Sequence, residues 1–358
     1  MAVADVERDE TARRSRLASV ERATVVRAVV IAALLAVVLF GLPLFLDTYW
    51  LTVATAVVIY TLAALGAGLL YGRVGMVSLC QIALMALGAW VAARIFYGTS
   101  LPFPLVLVAA GLITAAIGCV IGLLAIRLHG LYFTLITLMA AGASSIVLGV
   151  NHFPNGGGGF TGVTSDALAI RAIRRPEIAT SDTAFFRYAV IVAAVLFLVA
   201  LWHVSSKPGR AWAAIRESEP AAVAAGVNIT NYKLWAFGFA AFLSGVAGGL
   251  MGASAGQLSV GPFATQESII LLAATLMGGI FSLWGAIVAG ALLQLVPALL
   301  QDWGLPPELL IVLFGVGILQ VLLTAPAGLV DQVPTDVAKL GRLLTRPFRS
   351  RGGNEASA

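Results

Sequence analysis

Long apolar runs separated by short polar breaks make up most of this chain. Ten of them reach or approach the roughly 20 residues a helix needs to cross a bilayer, over residues 28–46, 51–70, 76–95, 104–126, 132–150, 186–204, 235–254, 268–280, 284–300 and 307–323. The pattern predicts an all-α polytopic membrane protein with about ten transmembrane helices. The third and eighth runs are broken by polar or small residues, which predicts tilted or discontinuous segments there. The flanks divide the chain into a tail of residues 1–27, a transmembrane domain of 28–324 and a second tail of 325–358.

Two segments between runs are too long to be simple turns. One covers residues 151–184 and opens with the glycine run Asn155 to Gly162, and the other covers residues 205–231. Both tails and the 205–231 segment are expected on one side of the membrane, because an even number of spans returns the chain to the side on which it began. The positive-inside bias makes that side cytoplasmic. Seventeen Lys and Arg fall inside on this topology and five outside: Arg94, Arg171, Arg174, Arg175 and Arg187. The first apolar run is about 19 residues, longer than the roughly 7–15 of a signal-peptide core, so it is read as an uncleaved first span.

Composition narrows the classes. The chain is 60% hydrophobic and 11% charged, where soluble domains average about 45–50% and 25%. So few charges cannot clothe a soluble enzyme, and the basic residues form no stripe on a polar domain that would bind nucleic acid; lipid is the expected surroundings. Cys80 and Cys119 lie inside apolar runs and read as packing residues. His129, His152 and His203 are scattered near span ends and read as interfacial residues, with no metal-ligand spacing. No metal or cofactor is expected. None of the three lysines, Lys207, Lys233 and Lys339, follows a glycine, so the phosphate loop G-x-x-x-x-G-K-[ST] is absent. Within the spans the ionisable candidates reduce to Arg94 and Glu267, little machinery for coupling to an ion gradient.

Glycine is abundant, and Gly248, Gly252 and Gly256 recur every four residues with Gly245 and Gly249 beside them. Such a small-residue face serves either static helix packing or a moving interface. Gly75-Met-Val-Ser-Leu79 and Gly256-Gln-Leu-Ser-Val260 share a pattern and fall on opposite sides of the membrane, as an inverted repeat requires.

The internal segment is the most specific part of the sequence. Ser218 or Glu219 suits an N-cap, Pro220 a first helical turn and Gly226 a left-handed closing position. A short alanine-rich helix of about six or seven residues is predicted there. Its small side chains would let another protein approach closely, with Arg216, Glu217 and Glu219 as a polar rim; the alternative is an ordinary helical connection.

These residues also carry a resemblance. Gly209-Arg210, Ala214 to Glu217, Glu219, Ala221-Ala222, Gly226-Val227-Asn228, Tyr232-Lys233-Leu234 and Ala236-Phe237 resemble the cytoplasmic signature of LivM-type permeases of branched-chain amino acid ABC importers. Gly72 to Leu79, Gly130 to Leu138, and Leu276 to Gly279 with Gly285 resemble three further segments of that family, in family order. Cys80 and Val163 depart from it, each standing where glycine is usual.

The resemblance implies a type II ABC importer-like permease in a bacterial cytoplasmic membrane. Its expected partners are a second, LivH-like permease, two cytoplasmic ATPases and an external solute-binding protein. Arg210, Arg216, Glu217, Glu219, Ala221, Ala222 and Gly226 are then the expected ATPase-coupling residues. For a polar amino acid's path, the neutral polar side chains Ser78, Gln81, Thr134 and Thr137, together with Glu267, are the candidates. For the threonines, bonding back to their own helix is the alternative. A urea or short-amide importer and an ion-coupled secondary transporter are the rival functions.

Overall fold

The computed structural model describes residues 31–125, 130–150, 175–255, 261–306 and 309–324, with positions 29, 328 and 330, and every regular element among them is a helix. Both tails, the glycine run of the 151–184 segment and Gly256 to Val260 of the suspected repeat lie outside these residues, as do Arg127, His129 and His152.

The chain divides into two units, Met1–Thr52 and Val53–Ala358. The first contains α1 (Ile31–Phe45), whose middle widens into a π-turn at Val37–Gly41 and whose large side chains, such as Phe40 and Leu44, are exposed. The second begins within α2 (Thr48–Leu69) and holds α3 (Gln81–Gly98), α4 (Phe103–Ala125), α5 (Leu131–Val150) and α6 (Asp182–Ser205). Two short helices follow, α7 (Lys207–Glu217) and α8 (Glu219–Ala224), and then α9 (Ile229–Ala255), α10 (Thr265–Gly278), α11 (Gly285–Asp302) and α12 (Leu309–Thr324).

Each of the ten apolar runs holds a helix. Among the described residues six helices, Thr48–Val74, Phe103–Leu124, Leu131–Leu148, Asp182–Ser205, Ile229–Ala255 and Gly285–Asp302, are long and apolar enough to cross a membrane. Of the other four, α1, α10 and α12 are shorter, and α3 offers the shorter apolar stretch Gln81–Phe96. The chain is thus a multi-pass helical membrane protein.

Helix α9 is the hub, packed along α3 on one side and α4 on the other. Between helices immersed in lipid there is no hydrophobic gain from association, so close van der Waals packing must supply it, and small residues permit that. Gly245 faces Gly88 and Thr114, Gly248 presses on the Met85 carbonyl, and Gly249 meets Leu107. A side chain at any of these would collide with its neighbour. The glycine face predicted on this helix is therefore a packing face through Gly249, shared between two partner helices. Further along α9, Gly238 accommodates the Cys119 sulfur and Ala241 fits against Gly118, so Cys119 packs as expected.

Two breaks in the helices matter for function. The last turn of α2 widens into a π-turn, Leu70–Val74, and stops at Gly75, whose φ of +85° suits glycine alone. The chain then runs unwound to Cys80 before α3 begins. The second break is the turn between α10 and α11, where Gly278, Gly279 and Gly285 pack backbone on backbone and Gly279 has a φ of +116°. That close approach explains the paired glycines singled out in the sequence.

Candidate functional site

The unwound stretch starts at the exposed Gly75 and is buried at Met76 and from Ser78 to Cys80, where its backbone polar groups need partners from the protein. α5 supplies two. Thr134 Oγ1 donates to the Val77 carbonyl at 3.0 Å, and the Leu79 N–H donates to Thr137 Oγ1 at 3.0 Å. Thr137 in turn donates to the Thr134 carbonyl at 2.9 Å, so back-bonding and clamping occur together in one hydroxyl. Ser78 Oγ sits 3.2 Å from Cys80 Sγ. At the start of α3, the Gln81 side chain is 1% exposed and accepts from Ser244 Oγ of α9 at 2.6 Å, while its amide nitrogen has no hydrogen-bond partner.

Four of the five residues expected on the path, Ser78, Gln81, Thr134 and Thr137, are thus gathered around one helix break, the first two beside it and the threonines on α5 facing it. The threonines spend their hydroxyls on holding it. Glu267 stands apart from this cluster, half-buried in the first turn of α10 and in electrostatic range of Tyr60 on α2.

The 205–231 segment forms two helices. Ser218 caps α8, its hydroxyl accepting from the Ala221 N–H at 3.4 Å, and Pro220 lies in the first turn. Gly226 ends the element at φ +80°, its N–H donating to Val223 O at 2.9 Å, while the Val227 N–H reaches back to Ala222 O at 2.9 Å. α8 has six residues. The 11-residue α7 in front of it was missed in the sequence. Its signal is Ala211, Trp212 and Ile215, one apolar face with Arg210, Arg216 and Glu217 off it, and all three are buried. Trp212, 1% exposed, donates from Nε1 to Tyr232 O at 2.9 Å and so pins α7 to the start of α9.

Of the residues expected as a polar rim, Arg216 and Glu217 are exposed and Glu219 is partly exposed. Glu219 pairs with Lys233 at 2.6 Å, the lysine side chain being 8% exposed. Arg216 turns toward the spans, donating to the Gly72 carbonyl at 2.6 Å with its guanidinium 4.4 Å from the Phe281 ring centre. Glu217 and Arg210 remain exposed. Ala222 is buried, whereas Ala221, Val223, Ala224, Ala225 and Gly226 are exposed. Lys233 is not among the expected site residues; its role as a buried partner for Glu219 depends on α8 folding back on α9. The two assemblies adjoin, since Glu219 and Lys233 line a cavity together with Val74 to Val77 and Thr134.

His203 is buried, with Nδ1 2.9 Å from Val199 O and its ring stacked 4.4 Å from Phe239. It packs among aromatic residues at the end of α6.

Residues 49–322 match the family model described as branched-chain amino acid transport system / permease component. Two curated proteins are similar, each named high-affinity branched-chain amino acid transport system permease protein LivM: one from Salmonella typhimurium (strain LT2), 32% identical, and one from Escherichia coli (strain K12), 30% identical. Each alignment runs over 269 residues, 70% of this chain and 63% of the relative, so the chain spans less than two thirds of their length. No solved structure matches. The glycines, threonines and internal helices described above all lie within the matched residues, and the chain belongs to the branched-chain amino acid transport system permease family.

Proposed function

We propose that this chain is the membrane-spanning subunit of an ATP-driven importer for branched-chain amino acids, working beside a second, LivH-like permease, two cytoplasmic ATPases and an external solute-binding protein. The observation that carries the reading is the outer face of α8. Ala221, Val223, Ala224 and Ala225 are exposed there, Val223 to 58%, on a helix outside the apolar runs. Lipid covers apolar surface on a span, but exposed apolar surface on a polar segment marks contact with another protein. A chain without a phosphate loop has to receive ATP-driven motion from a partner, and α8 is where one fits. The exposed Glu217 and Arg210 flank that contact.

Ten spans with both termini cytoplasmic agree with the way elements meet. Gly72, Arg216 and Phe281, all inside on the charge-derived topology, come together, as do Phe96, Phe103, Phe185 and Tyr188 at outer ends. An inverted repeat agrees with the recurrence of a long helix, a break, a shorter helix and two more helices in α2 to α5 and again in α9 to α12. The substrate route passes Ser78 and Gln81, whose free amide donor meets a polar substrate when the helices part. Glu267 serves at the outer end of α10.

The test is reconstitution with the ATPases and the binding protein in proteoliposomes. Uptake of leucine, isoleucine or valine that needs ATP is expected, and Val223→Asp is expected to lose the ATPases on purification. Uptake driven by an ion gradient without ATP would replace this reading with a secondary transporter, and uptake of urea or short amides alone would replace the substrate.

A further inference from the structure

We infer that Arg216 is the joint that carries movement of the internal helices into the unwound strand ahead of α3. The inference rests on the permease reading above and adds to it a positioning residue that touches neither substrate nor nucleotide.

The guanidinium meets both halves of the chain. Its NH1 bonds to Gly72 O in the π-turn that ends α2, three residues before Gly75, and its plane lies over Phe281 in the turn between α10 and α11. Those two elements are themselves locked together at this point. A side chain at Gly72 would run into the Ile280 carbonyl, and one at Gly75 would come 3.6 Å from Arg216 Cγ. The bonds of Trp212 to Tyr232 O and of Glu219 to Lys233 tie α7 and α8 to the start of α9. Trp212 therefore acts as a fixed pivot for α7, and Arg216, four residues on, is the arm.

The chemistry suits arginine. A planar guanidinium donates along its edge to a carbonyl while its face stacks on an aromatic ring, which an ammonium cannot do at once. The positive charge also sits at the C-terminal end of α2, where the helix dipole favours it. A cleft lined by Gly72, Arg73, Ala213, Arg216 and Glu217 adjoins the contact and leaves room for the arm to swing. What it would displace is the π-turn and then the strand bearing Ser78, which is held from the other side by Thr134 and Thr137 of α5. Two holders on separate helices make the strand a two-position element of the kind a transport cycle needs.

The experiment uses the assembled importer in proteoliposomes with Cys119→Ser, which leaves Cys80, 1% exposed at the end of the strand, as the single thiol. Its maleimide labelling is followed with and without ATP, alongside leucine uptake per ATP hydrolysed. In the parent, the labelling rate is expected to change several-fold with ATP. Arg216→Ala is expected to copurify with the ATPases yet lose that ATP dependence and at least tenfold in uptake per ATP, with Arg216→Lys restoring little. Phe281→Leu, which removes only the stacked face, is expected to act in the same direction more weakly and is read in the same way if Arg216→Ala does not fold. ATP-independent labelling in the parent, or wild-type uptake in the variants, overturns the joint and leaves the permease reading intact. Failure of the parent to assemble with ATPases at all overturns that reading instead.

Discussion

Gly88 of α3 and Gly245 of α9 meet backbone against backbone, so close that a methyl group on Gly88 would overlap the main chain of Gly245. The hub of the fold is set by this contact and its neighbours, with no side chain able to yield. Gly88→Val is expected to lower stability by about 1–3 kcal/mol or more, the range for overpacking, read as a fall in melting temperature in detergent. Gly315→Ala on α12, where nothing lies within 4 Å, is the control and is expected to change little.

Thr137 accepts the Leu79 N–H in a buried setting. Thr137→Val keeps the shape and removes the acceptor, leaving a buried donor unpaired at a cost of about 1–3 kcal/mol. The strand loosens, and uptake is expected to fall while stimulation of ATP hydrolysis by the loaded binding protein persists. Thr137→Ser, which retains the hydroxyl, is expected to keep most of the uptake; equal loss in both variants would remove the clamp from the account. Gln81→Leu is expected to lower uptake as well, without loosening the strand.

How much of this was legible in the sequence depends on the range of the interaction. Helix positions follow from local hydrophobicity, and all ten runs hold helices. The cap and stop of α8 follow from Ser218, Pro220 and Gly226, because capping is chemistry over three or four residues. The partners of Thr134, Arg216 and Glu219 do not. They lie 57, 144 and 14 residues away in the chain and are fixed by how helices pack. The sequence marks these polar residues as candidates for a path or a partner surface, but the contacts they make with the chain's own backbone, at Val77, Leu79 and Gly72, are visible only once the helices are packed. α7 was hidden by its low apolar content, since its buried face is only Ala211, Trp212 and Ile215.

Glu219 and Lys233 form a partly buried ion pair that fixes α8 to α9. Glu219→Lys places two positive charges in contact and is expected to free α8, costing about 1–3 kcal/mol, between the values for exposed and buried pairs. The result is a permease that still inserts but transports poorly per ATP hydrolysed. Reversing the pair with Lys233→Glu in addition is expected to restore part of the coupling. If the double variant is no better than the single one, Glu219 acts on a partner protein and its pairing with Lys233 is incidental. Gly226→Val tests the same helix by its backbone: φ +80° is strained for a β-branched residue, so α8 is expected to lose its stop and coupling to fall.

The side of the membrane on which α8 lies is open to a direct test with single cysteines in a background lacking Cys80 and Cys119. α6 runs between the two segments to be compared, and it is one of the helices long enough to cross. Thr180, exposed just before α6, and Ala224, exposed on α8, are suitable positions; Ala179 beside the first is buried at 1% and would label slowly whichever side it faced. With one crossing between them, Thr180→Cys is expected to react with a membrane-impermeant maleimide from outside intact cells. Ala224→Cys is expected to react only after the membrane is opened. The charge distribution sets the direction, because Lys207, Arg210, Arg216 and Lys233 flank α8 and positive residues are retained in the cytoplasm. Labelling of both from one side would mean that α6 does not cross. Labelling from opposite sides in the reverse sense would put α8 outside, beyond reach of any ATPase, and the proposed function would fall with it.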